Sequence, residues 1–277
     1  MKAQMHDFMD GNGPVPAHIH PRGGGWVADT AHVDKSAHIG PDARVFGDAW
    51  VSGDAWVCGS ARVHGDARVY GDALVRDNAW VYGDAKVCGD AQVFGNAWVH
   101  DNAWVSGAAW VYGDALVYGN ARVHDNALVY GNAWVHDNAL VHDNALVHDN
   151  AWVCGDARVH DNARVRDNVW VFGDAKVHGA AQVYGNARVY GDARVSGDAR
   201  VSGAAQVNRG MYTSTPISIP RSDGYMFTLQ SDGSIVAGCR DFTPDEAKAH
   251  WGNPEHHKHR ESMAIVTALS AIAAERQ

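Results

Sequence analysis

The sequence predicts an all-β solenoid, a rod built from one strand-and-corner unit repeated along most of the chain. Three observations predict it. A six-residue register runs from Ala31 to Asn208 through thirty consecutive hexads without an insertion or deletion. In each hexad a small residue and a valine alternate with variable positions. Each hexad then closes on a pair such as Gly-Asp, Gly-Asn or Asp-Asn. Ala67-Arg68-Val69-Tyr70-Gly71-Asp72 and Ala133-Trp134-Val135-His136-Asp137-Asn138 are representative, and Ile39 for valine and Val169 for alanine are among the few changes of type.

The alternation puts alanine and valine on one side of a short strand and the variable residues on the other. Valine suits a strand. The closing pair supplies residues that accept positive φ, so each hexad ends in a corner. A flat sheet of such strands would leave long open edges. Coiling stacks each strand on the next turn instead.

Three segments follow. Residues 1–30 read as an irregular leader and N-terminal cap, broken by Gly11, Gly13, Pro14, Pro16, Pro21 and Gly23 to Gly25, with Trp26 and Val27 covering the open first coil. Residues 31–208 are the repeat. Residues 209–277 are a small hairpin-plus-helices module. There, Tyr225 to Gln230 and Ser234 to Cys239 read as strands around a Ser231-Asp232-Gly233 turn. Thr243-Pro244-Asp245-Glu246 has the form of a capping box with proline at the first helical position, and Gly252 stops that helix. A second helix runs from about Arg260 to Ala274, with Met263, Val266, Leu269 and Ala273 on its apolar face.

The hexad resembles that of the left-handed parallel β-helix of hexapeptide-repeat proteins. In that family an aliphatic residue points inward and three hexads make one triangular coil. The resemblance implies about ten coils here, and at roughly 4.8 Å per coil a rod on the order of 48 Å long. The leader Gly13-Pro14-Val15-Pro16-Ala17-His18 with Gly23-Gly24-Gly25-Trp26-Val27-Ala28, and the tail Ala237-Gly238-Cys239-Arg240-Asp241-Phe242-Thr243 with His250-Trp251, resemble uncharacterised phage and prophage proteins. That implies a phage accessory or host-interaction role, with a host or phage protein as partner.

With eighteen residues per coil, variable positions stack in columns. One face carries Trp80, Trp98, Leu116, Trp134, Trp152 and Trp170, beside Tyr82, His100, Tyr118, His136, Cys154 and Phe172, with Arg44, Arg62 and Arg188 at its ends. An apolar wall of that extent marks an interaction surface. It reads as a self-association seam, and the family resemblance implies a homotrimer. The alternatives are cover by the C-terminal helix, or copying of a Trp-bearing hexad with no role. A second face holds Arg68, Lys86, Trp104, Arg122, Leu140, Arg158, Lys176 and Arg194 beside a histidine column, His124, His142, His160 and His178. These four are the candidates for a transition-metal site, with Asp125, Asp143 and Asp161 to orient them. A solvated polar ladder is the plainer reading, and no metal is assigned. The third face, with Trp56, Leu74, Gln92, Trp110, Leu128, Leu146, Arg164, Gln182 and Arg200, and with Tyr112 and Tyr130 in its second column, shows no chemical theme.

Many hexapeptide-repeat proteins transfer acyl groups from coenzyme A with a histidine on an extruded loop acting as general base. On that resemblance His100 and His136 are the catalytic alternatives. The repeat has no extruded loop, and a near-uniform array lacks the singular constellation that an active site needs. The sequence therefore reads as a non-catalytic structural or binding rod without a cofactor, and an acyltransferase is the runner-up. A formal net charge of -9 argues against general nucleic-acid binding. No run approaches the roughly 18 apolar residues of a membrane helix. Cys58, Cys88 and Cys154 fall on different faces and cannot pair within one solenoid, which suits a reducing compartment. The bacterial cytoplasm is the simplest address, and a virion is the other setting.

Overall fold

The computed structural model describes residues 4–275. Strands of two to four residues begin at six-residue intervals from His32 to Gln206. Each pairs in parallel with the strand eighteen residues on: Trp80 with Trp98, Lys86 with Trp104, Gln92 with Trp110. Three hexads therefore make one coil. The strands sort into three sheets of 13, 11 and 10 strands. These are called here the tryptophan, histidine and third sheets. The chain is a β-solenoid of about ten coils.

The inward alanines and valines from Ala37 to Val201 are fully buried. Valines of successive coils stack directly, as Val81 on Val99 and Val87 on Val105. Alanine sits beside each corner, and Val169, the one larger residue at this position, is fully buried there as well.

The corners explain the closing pair. Wherever its first residue is glycine or aspartate, that residue is left-handed. At Gly59 φ is +63°, and a Cβ there would lie 2.7 Å from the backbone nitrogen of Asp77 in the next coil. Eight hexads nevertheless place aspartate at this position: Asp77, Asp101, Asp125, Asp137, Asp143, Asp149, Asp161 and Asp167, with φ between 57° and 65°. Aspartate tolerates this conformation through local hydrogen bonding. Each of the eight carboxylates accepts the backbone N–H eighteen residues on, at 2.8 to 3.5 Å. An aspartate corner thus ties one coil to the next through its side chain. The asparagines that follow form their own ladders, as Asn132 to Asn150 to Asn168 to Asn186.

The leader is more regular than its glycines and prolines predict. Strands Gln4–His6, Val15–Ile19 and Trp26–Ala28 pair in turn, each antiparallel to the next, and the third pairs in parallel with Arg44–Val45. Trp26 and Val27 thus belong to the strand that joins the leader to the parallel part of the tryptophan sheet, rather than to a lid on it. Pro16 has no N–H to give to the ladder, and its carbonyl accepts the Asp29 N–H at 2.9 Å.

At the far end Met211–Tyr212 adds to the histidine sheet with Arg194 opposite Met211, seventeen residues apart, so the register slips by one. Tyr212, 6% exposed, closes the core. Beyond it lies a four-stranded antiparallel sheet: Ser218–Pro220, Met226–Leu229, Ile235–Ala237 and Arg240–Phe242. The first and last are three-residue edge strands without the alternation that would reveal them in sequence. Helices α1 (Pro244–Trp251) and α2 (His259–Glu275) pack on it around Phe227, Leu229, Trp251, Val266 and Leu269. The Thr243–Glu246 capping box is present.

The tail caps the last coil. Gln230, 1% exposed, donates to the Gln206 carbonyl at 2.8 Å and accepts the Asn208 N–H at 3.1 Å and the Tyr212 hydroxyl at 2.7 Å. Thr228 accepts the Gln206 N–H at 3.3 Å. These side chains supply the bonds that another coil would have made. The C-terminal helix does not fold back over the tryptophans, because its apolar face is occupied by the tail's own sheet.

Candidate functional site

Stacking at strand spacing turns each outward column into a line of rings. On the tryptophan sheet, Trp80 stacks on Trp98 at 5.3 Å, Trp134 on Trp152 at 4.6 Å and Trp152 on Trp170 at 5.0 Å, with interplanar angles of 13°, 10° and 2°. Leu116 fills the one gap in the column. The neighbouring column is a continuous stack of Phe46, His64, Tyr82, His100, Tyr118 and His136, with centroids 4.6 to 5.0 Å apart. Cys154 interrupts it, and Phe172 on Tyr190 resumes it at 5.1 Å. Tryptophan edges meet these rings in T-shaped contacts, such as Tyr118 to Trp134 and Trp170 to Phe172.

The wall is longer than the sequence reading placed it. The leader adds Phe8, stacked on Phe46 at 5.0 Å, and His6, stacked on Trp26 at 4.1 Å. Stepping back eighteen residues from Tyr82 would have found His64 and Phe46. The Phe8 contact had no sequence signal, because it crosses a non-repeating leader. Arg62 and Arg188 lie over Trp80 and Trp170, at 4.6 and 5.6 Å, as cation–π caps on the tryptophan column. Trp98 and Trp170 remain 39% and 41% exposed. Near the leader a cleft of about 390 Å³ lies against His6, Trp26, Arg44 and Arg62.

His100 and His136 stand in this wall, sandwiched between aromatic neighbours and only 17% and 14% exposed. Their Nδ1 atoms lie 3.3 and 3.2 Å from Asp101 and Asp137. The Nε2 of His136 is buried without a partner. A His–Asp pair has the form of an oriented base. Here, however, the pair recurs at six corners: His100, His124, His136, His142, His148 and His160, each with the aspartate that follows it.

The recurrence follows a rule internal to the repeat. All eight left-handed aspartates are preceded by histidine or arginine, the arginines being Arg76 and Arg166. Where glycine holds the corner, the preceding residue is basic only at His64 and His178. In the Asp125–Asp143–Asp161 and Asp149–Asp167 columns, carboxylates at strand spacing repel one another and the adjoining basic residue offsets that repulsion, whereas Asp77, Asp101 and Asp137 have glycine one coil to either side. The pairing is readable in the sequence as His-Asp-Asn or Arg-Asp-Asn.

On the histidine sheet, His124, His142, His160 and His178 form one ladder with centroids 4.9 to 5.0 Å apart. Burial, foremost, holds His142 and His178 below the usual imidazole pKa, and at His178 the nearby Arg194 and Lys176 act in the same direction. Asp161 accepts the Gly179 N–H and lies 3.3 Å from His160 and 3.8 Å from His178, and its pKa is lowered mainly by the first of these. The third face has a theme after all. Phe94, Tyr112, Tyr130 and His148 stack at 4.7 to 4.8 Å, and Arg76 lies over Phe94 at 4.2 Å. Cys58, Cys88 and Cys154 lie on three different sheets and are unpaired thiols.

Set beside known proteins, the chain matches a family model described as the YdcK beta solenoid repeat at residues 67–83, 109–125, 121–137, 181–193 and 193–209. No curated protein matches it. Among solved structures it is similar to the UDP-N-acetylglucosamine acyltransferase of Francisella novicida, at 14% identity and a TM-score of 0.31, over 61% of this chain and 66% of that one. LpxA from Acinetobacter baumannii gives 11% and 0.37, over 87% and 90%. The Arabidopsis UDP-N-acetylglucosamine acyltransferase gives 12% and 0.35, over 87% and 94%.

Proposed function

We propose that the protein is a non-catalytic structural and binding rod that self-associates through its tryptophan face and presents its remaining repeated surfaces to a protein partner. The observation that carries this reading is the uncovered aromatic wall. The tail packs on the end of the rod and on itself, leaving Trp98 and Trp170 in solvent. A contiguous apolar surface of this length on a soluble chain calls for a partner. A second copy fits it best, because the same face on another rod has the same rise per ring, so both columns stay in step along their whole length. The trimer and the phage or host setting belong to this reading through the hexapeptide-repeat and leader-and-tail resemblances.

Light scattering on the full chain and on the Trp98→Ser/Trp134→Ser double variant tests it. The wild-type chain is expected as an oligomer and the variant as the 29.8 kDa monomer. A wild-type monomer, or an oligomer unchanged in the variant, removes the tryptophan face as the seam.

The second reading is acyl transfer from coenzyme A at His100 or His136, favoured by the unpartnered buried Nε2 of His136 on the face where another subunit would sit. It requires acetyl coenzyme A to raise the melting temperature by mass action. The rod reading requires no shift.

A further inference from the structure

We propose that the histidine ladder binds two divalent transition-metal ions per chain, one on His124, Asp125 and His142 and the other on His160, Asp161 and His178. Each group offers three donor atoms within 4.8 Å of one another. Two imidazoles and a carboxylate form a borderline N/O set suited to zinc, cobalt or nickel. Metal–nitrogen bonds of about 2.05 Å in a tetrahedral site put two ring nitrogens about 3.3 Å apart. Each imidazole of a stacked pair must then move its nitrogen by less than about 1 Å. The four side chains are 22% to 33% exposed on an open face and have room to turn. Asp161 already stands between His160 and His178, its Oδ2 lying 3.3 and 3.8 Å from their Nδ1 atoms and also accepting the Gly179 N–H at 2.9 Å. The adjoining cations Arg158 and Lys176 share a cleft with Asp156 and Asp174, which moderates their field at the ladder.

The number two follows from sharing. A third group, His142, Asp143 and His160, lies between the others and takes one histidine from each. It cannot be filled while either outer group is filled. Two ions in the outer groups also stand two coils apart rather than one, which halves their mutual repulsion. Removing the outer histidines should therefore leave one site, whereas removing the inner two should leave none.

The experiment is calorimetric titration of the chelator-stripped full chain with Zn²⁺ at pH 7.5. Wild type is expected to bind two equivalents more than His142→Ala/His160→Ala, and His124→Ala/His178→Ala to retain one of those two. Counting by difference excludes zinc bound elsewhere, including at His136, Asp137 and Cys154. Co²⁺ on wild type should give the intense visible bands of a tetrahedral site, absent from the inner double variant. A difference other than two equivalents overturns the proposal. So does equal loss in the two double variants. Melting of each metal-free variant accompanies the titration, and glutamine replaces alanine wherever the fold is weakened.

Discussion

Replacing Asp143 by alanine tests the corner chemistry on which the rod depends. Asp143 has φ of +59°. Its carboxylate accepts the Asp161 N–H at 3.2 Å and lies 2.9 Å from His142 Nδ1. Alanine has no side-chain group to support the left-handed conformation, which costs about 1–2 kcal/mol. Loss of the acceptor for the next coil adds about 1 kcal/mol. Asp143→Ala should therefore lose about 2–3 kcal/mol. Asp143→Gly loses the same acceptor but is at ease at positive φ, and should lose only about 1 kcal/mol. The two variants differ by the backbone contribution alone. At about 2–4 °C per kcal/mol for a chain of this size, the glycine variant should melt about 2–8 °C above the alanine variant. Calorimetry reads the difference, and hydrogen exchange at the Asp161 amide should quicken in both variants. An alanine variant that melts with or above the glycine variant would refute the corner account, because it would mean that position 143 carries no left-handed cost.

The remaining predictions concern the cap and the response to acid. Gln230→Ala removes three hydrogen bonds between the tail and the last coil, a loss of about 2–4 kcal/mol. Faster exchange at the Asn208 amide and easier proteolytic release of the tail should follow, and unchanged protection would show that the apolar contacts alone hold the cap. Burial lowers the pKa of His64, His142 and His178 below 6.5. The unfolded chain therefore binds more protons than the folded one as pH falls from about 6.5 to the folded-state values, and stability should drop across that window. Around His142 the groups that modulate this are Asp143, Asp125, His124 and His160. Melting temperature against pH should show the drop, and His142→Gln should shrink it. A flat profile between pH 7.5 and 5.5 would contradict the burial of these rings.

The repeat was legible because its physics is local. Alternation sends Ala133 and Val135 inward, and Gly-Asp or Asp-Asn pairs turn the chain, so a six-residue unit is fixed by six residues. Eighteen-residue bookkeeping then places Trp80, Trp98 and Trp134 in one column and His124, His142, His160 and His178 in another. The same bookkeeping would have given the Phe94–Tyr112–Tyr130–His148 stack and the left-handed aspartates with their basic neighbours. Those signals were in the sequence and needed only the internal alignment of hexads.

The ends were different, because no repeat constrains them. Phe8 meets Phe46, and Gln230 meets Gln206, Asn208 and Tyr212, only after segments distant in sequence have folded. Pro14 and Pro16 read as breakers, yet Val15–Ile19 pairs on both sides, with Gln4–His6 and with Trp26–Ala28. Ser218–Pro220 and Arg240–Phe242 are strands only because Met226–Leu229 and Ile235–Ala237 lie beside them. By itself the sequence determined the rod, its period and the residues on each face, since these rest on side-chain alternation and corner chemistry. Only the tertiary structure decided that the tail caps the last coil and leaves the tryptophans open, because that outcome rests on contacts between segments distant in sequence.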